Sequence, residues 1–160
     1  MSFTVLVDTR EKNPWELHSS RVLGREFTKL DTGDYTVPGF ENILCIDRKA
    51  NVNELAGNIS QARFKKELER IKDIPHAFII LEATLQDVLD YPHTADLPAK
   101  IRKKIRMNGN FLLRCLNRMQ IKYGFNIIYA GNRENAQRIA VNLMQEVLEL
   151  YGSDPEINKT

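Results

Sequence analysis

Residues Gly33 to Lys49 read GDYTVPGFENILCIDRK. Two apolar segments, DYTV and NILCIDRK, are joined by PGFE, a Pro-Gly turn, so the stretch predicts a β-hairpin. Its second strand ends in three charges, Asp47, Arg48 and Lys49, directly after the apolar ILCI, and Asp34 comes in on the first strand. Strand alternation puts Ile43, Cys45, Asp47 and Lys49 on one face, and Leu44, Ile46 and Arg48 on the other. Asp47 and Lys49 are therefore neighbours, while Arg48 points elsewhere. Either the strand simply surfaces here, or these residues form a site.

On the N-terminal side, FTVLVD (Phe3 to Asp8) is apolar on both faces and predicts a central strand. REFTKL (Arg25 to Leu30) alternates more and predicts a strand nearer an edge. On the C-terminal side, Asn51 and Glu54 form a capping-box pattern that opens a helix. That helix should break near Gly57 to Ser60, because Leu55 and Ile59 do not share a face with the next stripe, Phe64, Leu68 and Ile71. HAFIILEA (His76 to Ala83) predicts a buried strand, TLQDVLDY a short helix, and YPHTADLP (91–98) a loop. A short basic helix over Lys100 to Arg106 follows, then a helix over Asn110 to Tyr123. Its apolar face is Leu112, Cys115, Leu116, Met119 and Tyr123, and Arg114, Arg118 and Lys122 form a basic stripe. FNIIYA is the last strand, and Asn132 caps a long helix bearing Ile139, Ala140, Leu143, Met144, Val147 and Leu148 on one face. Hairpin first and βαβ afterwards gives an α/β fold, a single mixed β-sheet flanked by helices.

The 160 residues suit one domain over 1–151, with a frayed tail over 152–160. The longest apolar run, AFIIL, is too short to span a bilayer, and no signal-peptide pattern opens the chain. Cys45 and Cys115 stand apart in apolar surroundings without zinc spacing and read as buried thiols. Those features point to a cytoplasmic or other intracellular setting, with the nucleus left open and no membrane partner. Net charge is +2, but its distribution is uneven: residues 97–133 hold nine of the 23 Lys and Arg and none of the 21 Asp and Glu. Such segregation suits a polyanion partner, although a solvated basic helix face gives the same pattern.

Two carboxylates beside a lysine, Asp34, Asp47 and Lys49, are what divalent-metal phosphodiester hydrolysis uses. Carboxylates are hard oxygen ligands for Mg²⁺ or Mn²⁺, and a lysine can act on the attacking water or on charge building at the phosphate. VDTRE adds Asp8 at the end of another buried strand and Glu11 three residues on. Four carboxylates gathered together would repel one another without a cation, so such a cluster would call for metal. Taken singly, Asp8 also suits a strand-terminal turn, and Glu11 a solvated pair with Lys12.

With these residues in view, the chain resembles the XPF-type nuclease domain, a branch of the PD-(D/E)xK nucleases with a restriction-endonuclease-like core. That family's signature is Gly-Asp, a variable gap, Glu-Arg-Lys, three residues, then Asp. Here it is matched by Gly33-Asp34, the gap, Asp47-Arg48-Lys49, three residues, then Asn53. The family's upstream motif is matched by Val7-Asp8-Thr9-Arg10-Glu11, and its later helix by Arg63-Phe64. The resemblance runs from about Phe3 to Tyr151. It implies a metal-dependent DNA endonuclease acting on branched or otherwise structured DNA. Asp34, Asp47 and Asp8 would hold Mg²⁺ or Mn²⁺, with Glu11 completing the acidic site. Lys49 would act on water or transition state, and Arg48, Arg10 and Arg63 would orient the site or grip phosphates. Lys100, Arg102, Lys103, Lys104 and Arg106 are the candidate DNA contacts in the basic segment.

Asp47 stands where the family has Glu, and Asn53 where it has a final Asp, which removes a charge. Family members often work as pairs in which one nuclease domain is degenerate. A nuclease-like DNA-binding or partner subunit that no longer cuts is therefore the alternative, and an RNA-directed nuclease also stays open. Members usually carry a C-terminal tandem helix-hairpin-helix module, and none follows here. The chain would rely on its own basic surface or on a partner, in a homodimer or heterodimer through the nuclease domain. The long helix from Asn132 is one candidate face, unless its stripe is spent on the sheet. Glu82 reads as a strand end, Trp15 as core, and His18, His76 and His93 as structural or exposed.

Overall fold

The computed structural model describes residues 1–93 and 97–152. Part of the expected 91–98 loop and the expected tail beyond Gly152 lie outside the described residues. Among the described residues six strands form one mixed sheet: β1 (Phe3–Asp8), β2 (Val22–Thr28), β3 (Tyr35–Thr36), β4 (Leu44–Lys49), β5 (His76–Leu81) and β6 (Asn126–Tyr129). Their order is β2-β1-β3-β4-β5-β6. Strand β3 is antiparallel to both neighbours, while β2 follows β1 in parallel and β5 and β6 follow β4 in parallel. The expected mixed α/β sheet is what forms. Among the described residues six helices flank it: α1 (Val52–Ile59), α2 (Ala62–Ile71), α3 (Leu85–Leu89), α4 (Ala99–Arg102), α5 (Gly109–Tyr123) and α6 (Arg133–Tyr151).

Strand parity divides the core in two. Cys45, Ile79, Leu81 and Ile127 face a layer made by Leu55 of α1, Phe64 and Leu68 of α2, and Leu112 and Leu116 of α5. Val5, Val7, Tyr35, Leu44, Ile46 and Ile80 face Ala136, Ala140 and Met144 of α6. The apolar stripe of α6, weighed above as a dimer face, is thus packed on the sheet. The helix boundary between α1 and α2 falls where the apolar phase shifts, with Ser60 closing α1 through Asn58 O. Asn51 caps α1 by accepting the Glu54 N–H at 2.8 Å, and Glu54 takes the Ala50 N–H.

Two boundaries differ from expectation for physical reasons. Strand β2 starts at Val22 rather than Arg25, because Arg21 O accepts the Phe3 N–H and starts the ladder early. It is a sheet edge, and Leu23 and Phe27 stay exposed on it. The basic helix shrinks to Ala99–Arg102: it buries none of its residues and lacks a side-chain cap, so little holds a longer helix there. Cys115 is only half-buried, unlike Cys45.

Candidate active site

The β3–β4 hairpin brings Asp34 against the end of β4. Gly33 makes the approach possible: it sits at φ +75°, and a Cβ there would come within 2.5 Å of Cys45 Sγ. Backbone bonds from Asp34 N–H to Ile46 O and from Asp8 N–H to Asp34 O tie β1, β3 and β4 together at this point. Asp34 Oδ2 then accepts the Arg48 N–H at 2.8 Å.

Asp34 lies beside Asp47, and the Lys49 ammonium reaches Asp47 Oδ2 at 3.3 Å. Both Asp47 and Lys49 are buried, with 7% of their surface exposed. Lys49 Nζ also lies 5.3 Å from the Phe64 ring centroid, so α2 roofs the lysine. Loss of hydration, then the charge of Asp47 and a hydrogen bond with it, push the Asp34 carboxyl well above its ordinary pKa. Burial lowers the Lys49 pKa, but the charges of Asp47, Glu54 and Asp34 outweigh it and the net shift is upward. Asp34 and Asp47 are therefore a like-charged pair that favours a shared proton or a cation.

The four carboxylates expected to gather do not converge as one cage: among the described residues, no three His, Cys, Asp or Glu side chains are placed to hold a metal together. Asp8 is buried, but its Oδ1 accepts the Leu30 N–H at 3.0 Å and its Oδ2 accepts Arg10 Nε at 2.8 Å. Arg10 also donates to Leu30 O, so Asp8 and Arg10 fasten the segment after β2. Glu11 pairs not with Lys12 but with Arg48, Oε1 to Nη1 at 3.3 Å. These dispositions follow from strand ends that deliver acidic residues on both faces of the sheet. Two carboxylates remain adjacent, which fits Mg²⁺ or Mn²⁺ without a full cage, because Mg²⁺ is commonly held by one or two carboxylates, waters and phosphate oxygens.

Arg48 points to the opposite face, as strand parity requires. There Glu82 grips it with both oxygens, at 2.7 Å to Nε and 3.3 Å to Nη2. Glu82 Oε1 also accepts the Trp15 indole N–H at 2.7 Å. Glu82 was read above as a strand end and Trp15 as core; Trp15 is fully buried, stacked on Tyr35 at 4.5 Å. Parity with Ile80 assigns Glu82 to the Arg48 face, but only the β4–β5 register, Arg48 opposite Ile80, brings the two together.

Arg63 is exposed in the first turn of α2, and Asn53 is exposed in the first turn of α1. Lys100, Lys103, Lys104 and Arg106 are exposed on and after α4, and Arg102 is half-buried. His76 accepts or donates to the Tyr151 hydroxyl at 2.7 Å, a structural link as expected.

The ERCC4 domain family matches residues 7–143. The chain belongs to the ERCC4 domain family. The fold is similar to that of XPF from Aeropyrum pernix, with TM-score 0.67 at 19% identity, over 92% of this chain and 66% of that one. A second structure, XPF from Aeropyrum pernix in complex with DNA, gives TM-score 0.67 at 20% identity, over 95% and 68%. The chain spans about two thirds of the length of these structures. No curated protein matches it closely enough to count as a relative. The XPF-type nuclease domain read from Gly33-Asp34 and Asp47-Arg48-Lys49 is thereby borne out in family and in fold. Among the described residues, no helix is long and apolar enough to cross a membrane.

Proposed function

We propose that this ERCC4 domain is a divalent-metal-dependent DNA endonuclease acting on branched or otherwise structured DNA. One observation carries the reading: the adjacent Asp34 and Asp47 carboxylates share a sheet face with a buried, cationic Lys49. Family membership and the likeness to a fold known in complex with DNA support DNA as the partner.

Asp34 and Asp47 would hold Mg²⁺ or Mn²⁺, the ion taking the place of the proton that the pair favours. When bound, the ion supplies a more acidic water and a Lewis acid for the phosphate. The chain's own residues do the rest. Lys49 lies 3.3 Å from Asp47 Oδ2, with its ammonium turned to the pair. From there the ammonium stabilises charge building on the phosphate. Asp8 and Arg10 hold the loop that borders the pair, and Glu11 adds negative charge felt by Asp34. Arg63, Lys100, Arg102, Lys103, Lys104 and Arg106, all exposed but the half-buried Arg102, are the groups for phosphate contacts.

The reading is tested by incubating the protein with Mg²⁺ or Mn²⁺ and flap, fork and duplex DNA, alongside Asp34→Ala and Asp47→Ala. Active protein that ignores either substitution would place the chemistry elsewhere. Asn53, where the family carries Asp, favours a second reading, a DNA-binding partner subunit that does not cut. Tight binding without metal-dependent cutting on any branched substrate would select it.

A further inference from the structure

The loop over 9–21 carries Glu11 yet contains no helix or strand, so side-chain bonds fix its place. Asn13 O accepts from Arg48 Nη1 at 3.0 Å and from Arg133 Nη1 at 3.3 Å, and Pro14 O accepts from Arg133 Nη2 at 2.9 Å. Trp15 N–H donates to the Tyr35 hydroxyl at 2.8 Å, and Arg25 donates to Trp15 O at 2.9 Å. Leu17 takes φ +57°, costly for a leucine, and its N–H donates to Gln137 Oε1 at 2.8 Å.

Inside this frame one guanidinium, Arg48, faces two carboxylates. Glu82 holds it at two points, at 2.7 and 3.3 Å, and Glu11 touches it once, at 3.3 Å. Both Glu82 oxygens are therefore occupied within the protein, by Arg48 and by Trp15. We propose that Glu82 is a positioning residue: it fixes Arg48 and Trp15, and through them the loop that carries Glu11, the other carboxylate on Arg48. Its effect on catalysis rests on the cleavage reading above; its effect on the loop does not.

Glu82 lies on the sheet face opposite Asp47 and Lys49, so it acts on the reaction only through Arg48 and the loop. Without the Glu82 charge, Arg48 keeps only Glu11 as a carboxylate partner, at 3.3 Å, and the loop loses the bracket that holds it. A double-mutant cycle separates this role from simple scaffolding. Glu82→Gln should lower kcat on structured DNA by about 10- to 100-fold with KM little changed, since the site is disordered rather than the DNA surface. In the background of Arg48→Met the same change should cost clearly less than in the wild type, because one of the two residues through which it acts is gone. Glu82→Asp, which keeps the charge, should recover part of the rate. Independently of cleavage, hydrogen exchange of backbone amides 10–17 should accelerate at least tenfold in Glu82→Gln while β4 and β5 stay protected. Unchanged exchange in those amides, a kcat equal to wild type, or full additivity with Arg48→Met would overturn the proposal. A wild-type protein that never cuts would sink the cleavage reading alone, and the exchange experiment would still decide for or against Glu82. Should Glu82→Gln not fold, Glu82→Asp carries the same exchange measurement, with acceleration expected and its absence contradictory.

Discussion

Asp34 rests its carboxyl on the backbone of Arg48, Oδ2 accepting the N–H at 2.8 Å, while the Arg48 side chain crosses to the other face of the sheet. One strand end thus serves two faces: the acidic pair and Lys49 on one, the Glu82 bracket on the other. The hydrogen bond favours ionised Asp34, but loss of hydration and the neighbouring Asp47 prevail and raise its pKa.

That shift gives a stability prediction. Below the carboxylate pKa of the unfolded chain, Asp34 is protonated in both states and contributes no pH dependence. As pH rises past it, the unfolded chain releases its proton first, so the native state loses stability until its own raised pKa is passed. Asp34→Asn, which keeps an acceptor for the Arg48 N–H, should therefore raise Tm in chelator by a few degrees at pH 7.5, with a much smaller gain near pH 4. Thermal melts of both proteins across that range check the sign; a Tm gain that shrinks with rising pH would contradict it.

Lys49→Met should lower the cleavage rate by about 10²- to 10³-fold, the range for losing one group that stabilises developing charge. DNA affinity should change little, because Lys49 is buried rather than part of the exposed basic surface. Single-turnover rates beside binding isotherms separate the two. A loss confined to binding would assign Lys49 to DNA capture.

Asn53→Asp tests the position at which the chain departs from its family. Asn53 is exposed in the first turn of α1, where an acidic residue is favoured by about 0.3–1 kcal/mol through the helix dipole. Stability should rise slightly and the cleavage rate should stay within about threefold, the size of the electrostatic change expected at an exposed position. A tenfold faster enzyme would put residue 53 into the site.

Gly33→Ala should cost about 2–4 kcal/mol, from the left-handed backbone and from overpacking against Cys45. Gly39 has φ +86° but open space around it, so Gly39→Ala should cost only the backbone part, about 1–2 kcal/mol. Cys45→Ala should return part of the loss at Gly33. Urea denaturation of the three single variants and the Gly33/Cys45 double variant measures each term; equal costs at both glycines would show that Cys45 does not limit the hairpin.

Much of this architecture was legible because its signals are local. Apolar runs marked the strands, Asn51 and Asn132 marked helix starts, and parity put Asp47 and Lys49 on one face. The Phe64, Leu68 and Ile71 stripe located α2. What escaped depends on register and on loops. Nothing local says that Glu11 bends to Arg48 instead of pairing with Lys12. Glu82 could not be joined to Arg48 before β4 and β5 were aligned, nor Trp15 to Glu82 before the 9–21 loop was placed. Asp8 ends its strand where expected, but its bonds to Leu30 and Arg10 depend on where the chain runs after β2. The basic segment forms a shorter helix than its run of charge suggests, because helix length follows from buried face and caps.

The central claim, that Asp34, Asp47 and Lys49 form a metal-dependent DNA-cleaving site, is tested most directly by one measurement. Single-turnover cleavage of labelled flap and fork DNA is followed with Mn²⁺, with Mg²⁺ and with chelator, for wild type and Asp47→Asn, with DNA binding recorded in the same samples. The account predicts cutting only with metal and at least a hundredfold slower cutting by Asp47→Asn, as for loss of a key electrostatic group, with binding retained by both. Wild-type protein that binds these substrates but never cuts them, or Asp47→Asn cutting as fast as wild type, would contradict it.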